Sequence, residues 1–186
     1  MRRILLAALL LAGTGPDLAA QAGTVILVRH AEKGDTTADP PLSAAGEQRA
    51  QALDAALARF PLAAIYVSEY QRTALTAAPV AHRTGLQSVT IAVRKSPPAQ
   101  ADAIAEAVRH LPRGSAALVV GHSNTLAGII RALGGPAIPD LCDAEYATML
   151  VLELPGEGLP PRLLRVSYGA ANPPDRDGCL ARMRLE

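Results

Sequence analysis

Along this chain, short wholly apolar runs alternate with longer stretches of helical period. Val25-Ile26-Leu27-Val28 has no polar position and is rich in β-branched residues, the pattern of a strand buried on both faces. The pattern returns at 63–67, at 88–93 and again, fully apolar, at 116–120. Between these runs lie amphipathic stretches. Ser43 reads as an N-cap with Gly46 at the third helical position, opening a helix that lines up Ala50, Leu53, Ala56 and Leu57 and stops near Phe60-Pro61. A second helix is predicted over 70–82, ending near Gly85. A third is predicted over 99–111, set off by Ser96-Pro97-Pro98 and stopped by Pro112. A fourth, over 125–133, halts at Gly134-Gly135-Pro136. Residues 146–154 and 163–168 alternate as strands, and the Pro/Gly-rich 155–161 predicts a hairpin-type connection. Strand and helix in alternation predict an α/β fold: a three-layer α/β/α sandwich with a mostly parallel central sheet.

The first 22 positions read differently. Arg2 and Arg3 precede an apolar run over 4–12, and Ala20-Gln21-Ala22 forms an A-x-A cleavage site, so 1–22 is expected to be a signal peptide and 23–186 a single domain. The run is short for a membrane span, no later segment is long enough, and no Cys follows it to carry a lipid. The expected mature protein is therefore periplasmic or secreted, with no stable membrane anchor. Removing 22 residues leaves 164, with 16 basic and 16 acidic side chains. That balance, four Tyr, one Phe and no Trp argue against nucleic acid as a partner. Export places Cys142 and Cys179 in an oxidising compartment, where one disulfide is expected to tie the C-terminal tail to the body. Closing that loop would stabilise by about 3–4 kcal/mol on the loop-entropy model. Two free thiols are the alternative, and the spacing excludes a CxxC metal or redox site.

Candidate chemistry sits where strands end. Arg29 and His30 follow the first strand at its carboxyl end, the place where open α/β sheets put their ligand crevices. The fourth strand runs into Gly121-His122-Ser123-Asn124, so a second imidazole is expected at the same rim. Past the second strand, Ser68-Glu69-Tyr70-Gln71-Arg72-Thr73 puts Arg72 in the first turn of a helix. Singly, each has an ordinary explanation: a strand-end histidine, a turn residue, an arginine paired with Glu69 on a helix face. Together they concentrate positive charge where a dianion such as phosphate would be clamped.

These residues resemble the motifs of the histidine phosphatase superfamily, branch 1, which has the phosphoglycerate mutase-like fold; the chain is identified as an exported bacterial member. Val28-Arg29-His30-Ala31-Glu32 is similar to the family's R-H-G-E opening, with Ala31 in place of Gly. Pro41-Leu42-Ser43-Ala44-Ala45-Gly46-Glu47-Gln48 resembles its L-[ST]-x-x-G-x-x-Q segment, 68–74 its S-x-x-x-R segment, and Gly121-His122 its second-histidine motif.

The resemblance implies that His30 is the nucleophile, with its other ring nitrogen donating to a backbone carbonyl. Arg29, Arg72 and His122 would bind the phosphoryl oxygens of a small phosphorylated substrate, with no cofactor and no metal. Many relatives carry an acidic proton donor after the third strand; here that stretch offers only Asp102 and Glu106 on a helix, and Glu32 beside the nucleophile is usually supportive. Without a donor, substrates with good leaving groups are favoured, such as phosphoramidates or acyl phosphates. The implied activity is hydrolysis of phosphomonoesters or phosphoramidates through a phosphohistidine. Removal of phosphate from an envelope glycolipid or a protein phosphohistidine, and a non-catalytic phosphate-binding envelope module, are the alternatives.

Overall fold

The computed structural model describes residues 23–94, 96–156, 158–174 and 178–179, so the signal peptide expected at 1–22 lies outside the described residues. Its elements in chain order are β1 (Gly23–Arg29), α1 (Ala44–Ala56), β2 (Leu62–Val67), α2 (Gln71–Thr84) and β3 (Ser88–Thr90), then α3 (Pro97–Arg109), β4 (Ala116–Gly121), α4 (Leu126–Ala132), β5 (Thr148–Leu154) and β6 (Arg162–Ser167). The strands form one sheet in the order β3-β2-β4-β1-β5-β6. The first four in that order run parallel; β5 is antiparallel to β1, and β6 to β5.

Period-two alternation assigns the two faces. Val25 and Leu27 of β1 pack with Ala117 and Val119 of β4 under α3 and α4, through Ile104, Val108, Leu126, Ile129 and Ile130. Ile26 and Val28 pack with Leu118 and Val120 under α1 and α2, through Leu53, Leu57, Ala77 and Val80. Helices thus cover both faces of the sheet, the three-layer architecture the pattern predicts. Because β1 and β4 are central, both faces of each are buried, which is why their sequences carry unbroken apolar runs.

Several predicted boundaries move, most of all at the third helix and the third strand. The third helix begins at Pro97, not Ala99, and ends at Arg109: Ser96 caps it by accepting the Ala99 N–H at 3.3 Å, and the prolines occupy first-turn positions whose N–H would have no helical partner. The third strand is shorter than 88–93. Ile91 still donates to the Val67 carbonyl at 2.9 Å, but the N–H groups of Val93 and Arg94 turn instead to the Glu69 carboxylate at 2.8 and 2.7 Å. Among the described residues no helix is long and apolar enough to cross a membrane.

Candidate active site

Strand register brings the two histidines together. In the β1–β4 pair Arg29 lies opposite Gly121, so the next residues, His30 and His122, leave the sheet side by side. The His30 N–H extends the ladder by donating to the Gly121 carbonyl at 2.9 Å, and the ring centroids stand 5.4 Å apart. Gly121 has to be small: a Cβ there would lie 2.8 Å from Leu126 Cδ2 and 2.9 Å from Thr125 Oγ1. On the other side of β4, Val67 pairs with Val120, which delivers Ser68 to the same rim; α2 then begins at Gln71 and carries Arg72 in its first turn.

His30 is buried, and its Nδ1 lies 2.8 Å from the Ala31 carbonyl. A carbonyl only accepts, so Nδ1 carries the proton and Nε2 keeps its lone pair. Burial outweighs the help of that bond, and with the nearby Arg29, His122 and Arg72 it lowers the His30 pKa to about 3. For His122, burial and then the Arg72 charge outweigh the attraction of Glu69, lowering the pKa to about 4. Its Nε2 sits 2.9 Å from Ser68 Oγ. Thr73 donates its own hydroxyl to the Tyr70 carbonyl at 2.8 Å and takes the Ser68 N–H at 3.1 Å.

The two arginines are held from outside. Arg29 donates through Nη1 to the carbonyls of Cys142 and Asp143, and through Nη2 to Asp143 Oδ1 at 3.3 Å and the Tyr146 hydroxyl at 3.4 Å; its Cζ lies 4.3 Å from the Tyr146 ring centroid. Arg72 pairs with Asp39 at 3.6 Å and stacks 4.2 Å over Tyr70. It does not take up Glu69 as its ion-pair partner. Although burial works to raise the Glu69 pKa, the backbone N–H groups of Val93, Glu69 and Arg94 hold it below the usual carboxylate range. Arg29 Nε and Arg72 Nε are both buried without a protein acceptor. A buried donor left unmatched costs about 1–3 kcal/mol.

Three weak candidates for a proton donor stand elsewhere. Glu32 is taken by Arg49, which donates from Nε to both carboxylate oxygens at 2.9 Å and from Nη2 at 2.7 Å, while Nη1 reaches the Tyr168 and Ala170 carbonyls. Asp102 is exposed on α3, and Glu106 pairs with Arg109 at 2.9 Å on the same helix. The carboxylates near the rim are instead Asp39, Glu69 and Asp143, none of which the motif reading singled out. Arg49, Tyr70 and Tyr146 were missed as well; only Tyr70, inside the Arg72 segment, carried a positional hint. Of the two readings for the cysteines, the structure has the disulfide, Cys142 to Cys179. Among the described residues no cluster of three or more His, Cys, Asp or Glu side chains could hold a metal ion.

Fold and rim together define a class: an α/β protein of phosphoglycerate mutase-like architecture, with two neutral imidazoles and two guanidiniums gathered at the carboxyl ends of its parallel strands. Residues 25–94 match the family model of the histidine phosphatase superfamily (branch 1). Over that stretch, which holds Arg29, His30 and Arg72, the chain is similar to that superfamily.

Solved structures share the fold. A mycobacterial glucosyl-3-phosphoglycerate phosphatase is 18% identical over 80% of this chain and 99% of its own, with a TM-score of 0.57. The putative phosphohistidine phosphatase SixA from Nakamurella multipartitia is 23% identical over 82% and 99%, at 0.55. A putative alpha-ribazole-5'-P phosphatase from Escherichia coli is 17% identical over 83% and 100%, at 0.57. No curated protein matches the sequence significantly.

Proposed function

We propose that this protein is an exported phosphatase that works without a metal ion and forms a phosphohistidine on His30. One observation carries the reading: His30 is buried and neutral, with its Nδ1 proton committed to the Ala31 carbonyl, and stands 5.4 Å from a second neutral imidazole at a rim that also carries two arginines. In the first step the Nε2 lone pair attacks phosphorus, a P–N bond forms, and the bond to the leaving group breaks with its electron pair. Arg29, Arg72 and His122 stabilise charge on the non-bridging oxygens. In the second step water attacks phosphorus, the P–N bond breaks back to neutral imidazole, and inorganic phosphate leaves with the proton.

The leaving group narrows the substrate. Asp39 and Asp143 are paired with guanidiniums, and Glu69, which accepts two backbone N–H groups, is held below the usual carboxylate range. That supports substrates whose leaving group departs without a carboxylic acid's proton: phosphoramidates, acyl phosphates and aryl phosphates ahead of alkyl phosphates. A phosphoramidate such as phosphohistidine belongs to the favoured set. The test is hydrolysis of aryl, alkyl, acyl and phosphoramidate compounds by the mature protein in EDTA. Turnover of the aryl and phosphoramidate compounds, absent in His30→Ala, is expected. Activity that appears only with added metal, or that survives His30→Ala, contradicts the reading.

A further inference from the structure

Arg29 owes its orientation to a part of the chain that no motif reaches. Among the described residues every protein acceptor of its guanidinium, and the ring beneath it, belongs to the short loop ahead of β5: the carbonyls of Cys142 and Asp143, the Asp143 carboxylate, and Tyr146. The same Tyr146 ring meets His30 edge-on at 6.2 Å. The loop is itself fastened at several points. Leu141 donates to the carbonyl of Ser123, next to His122, at 3.0 Å. The buried Glu145 carboxylate accepts the Cys142 N–H at 3.1 Å and the Thr148 hydroxyl at 2.6 Å, and it pairs with Arg165 of β6. Asn172 Oδ1 accepts the Ala147 N–H at 2.6 Å. The covalent fastening is the disulfide to Cys179, whose half-cystine Cys142 supplies one of the carbonyls that Arg29 uses.

We propose that residues 142–146 are a positioning loop for catalysis: Cys142, Asp143 and Tyr146 aim the Arg29 guanidinium at the phosphate, and the Cys142–Cys179 disulfide keeps them there. Phosphate affinity then depends on a closed disulfide. The proposal rests on the reading of Arg29 as a phosphate ligand. Chemistry favours this arrangement because an arginine fork gains affinity only when its N–H directions are fixed, and a guanidinium free to rotate loses that advantage. Both Nη nitrogens of Arg29 are engaged by the loop, with two bonds each, while Nε has no protein acceptor. The loop thus fixes the plane and direction of the guanidinium.

The experiment is calorimetric titration with inorganic phosphate, together with kcat and KM on an aryl phosphate, for the wild type, Cys179→Ser and Tyr146→Leu. It is run at a temperature where circular dichroism shows each protein folded. Opening the disulfide is expected to weaken phosphate binding about tenfold, the loss of one well-aimed charge-assisted contact. Tyr146→Leu, which keeps the disulfide, is expected to weaken it similarly, with KM rising in step. A loop that only stabilises the fold would lower the melting temperature and leave the phosphate Kd of the folded protein unchanged, and that result overturns the proposal. If Cys179→Ser does not fold, Tyr146→Leu decides alone: unchanged affinity in that folded variant overturns the proposal, weakened affinity supports it. A wild type that binds phosphate without hydrolysing any substrate refutes the phosphatase reading, while the Kd comparison still decides the loop's role. A wild type that does neither contradicts both.

Discussion

Burial and the guanidiniums of Arg29 and Arg72 keep His30 and His122 neutral well below the pH at which a free imidazole takes up its proton. With Nδ1–H fixed by Ala31, a neutral His30 keeps free over the whole physiological range the Nε2 lone pair that the proposed reaction uses. The same shifts bear on stability. Both groups bind protons more weakly folded, at about 3 and about 4, than at their ordinary 6.5. The unfolded chain therefore holds more protons between those values, and stability is fully present above 6.5 and lost as the pH falls toward about 4 and then 3. Urea midpoints should accordingly drop from pH 7 to pH 4.5, and His122→Asn should shrink that drop. A pH-independent difference between the two proteins would argue against the shift at His122. At this scale the sequence was most legible for Arg29, His30, Arg72 and His122, because each follows directly on a strand end or opens a helix. Arg49, Asp39 and Tyr146 were opaque, since each gains its role from a residue distant in the chain.

The elements work as delivery devices. Parallel pairing of β1 with β4 sets His30 beside His122, and pairing of β2 with β4 sets Ser68 against His122. The helix after His30 is delivered by contact: α1 is capped by Ser43, whose side chain accepts the Gly46 N–H at 3.1 Å and whose own N–H reaches the Glu32 carbonyl at 2.9 Å. Gly46 passes so near that carbonyl that a Cβ would overlap the Glu32 oxygen. Gly46→Ala should therefore cost about 1–3 kcal/mol, as overpacking does. It should also lower kcat, because the segment pushed aside carries His30 to Glu32. A variant with wild-type midpoint and rate would show that α1 does not constrain the nucleophile. The apolar runs of β1 and β4 were readable because central strands have no polar face. The ends of β3 and α3 were not, since a Glu69 carboxylate removes Val93 and Arg94 from the sheet and two prolines begin a helix where they look like a break.

Over the molecule as a whole, the site is assembled from four widely separated stretches, and the C-terminal part closes it. β5 and β6 carry no motif, yet the loop ahead of β5 holds Arg29, and the carbonyls of Tyr168 and Ala170 just past β6 hold Arg49 and through it Glu32. That dependence could not be read from the sequence, where the segment beyond Gly135 shows only alternation and two cysteines. The central claim is that these stretches converge to make His30 the phosphate acceptor. Its most direct test is rapid acid-free quenching of the mature protein with an aryl phosphate, followed by peptide mapping of bound phosphate. Acid-labile, base-stable phosphate on His30 is the expected result; turnover with phosphate on Ser68 or Ser123, or with no protein-bound phosphate at any time point, would contradict it.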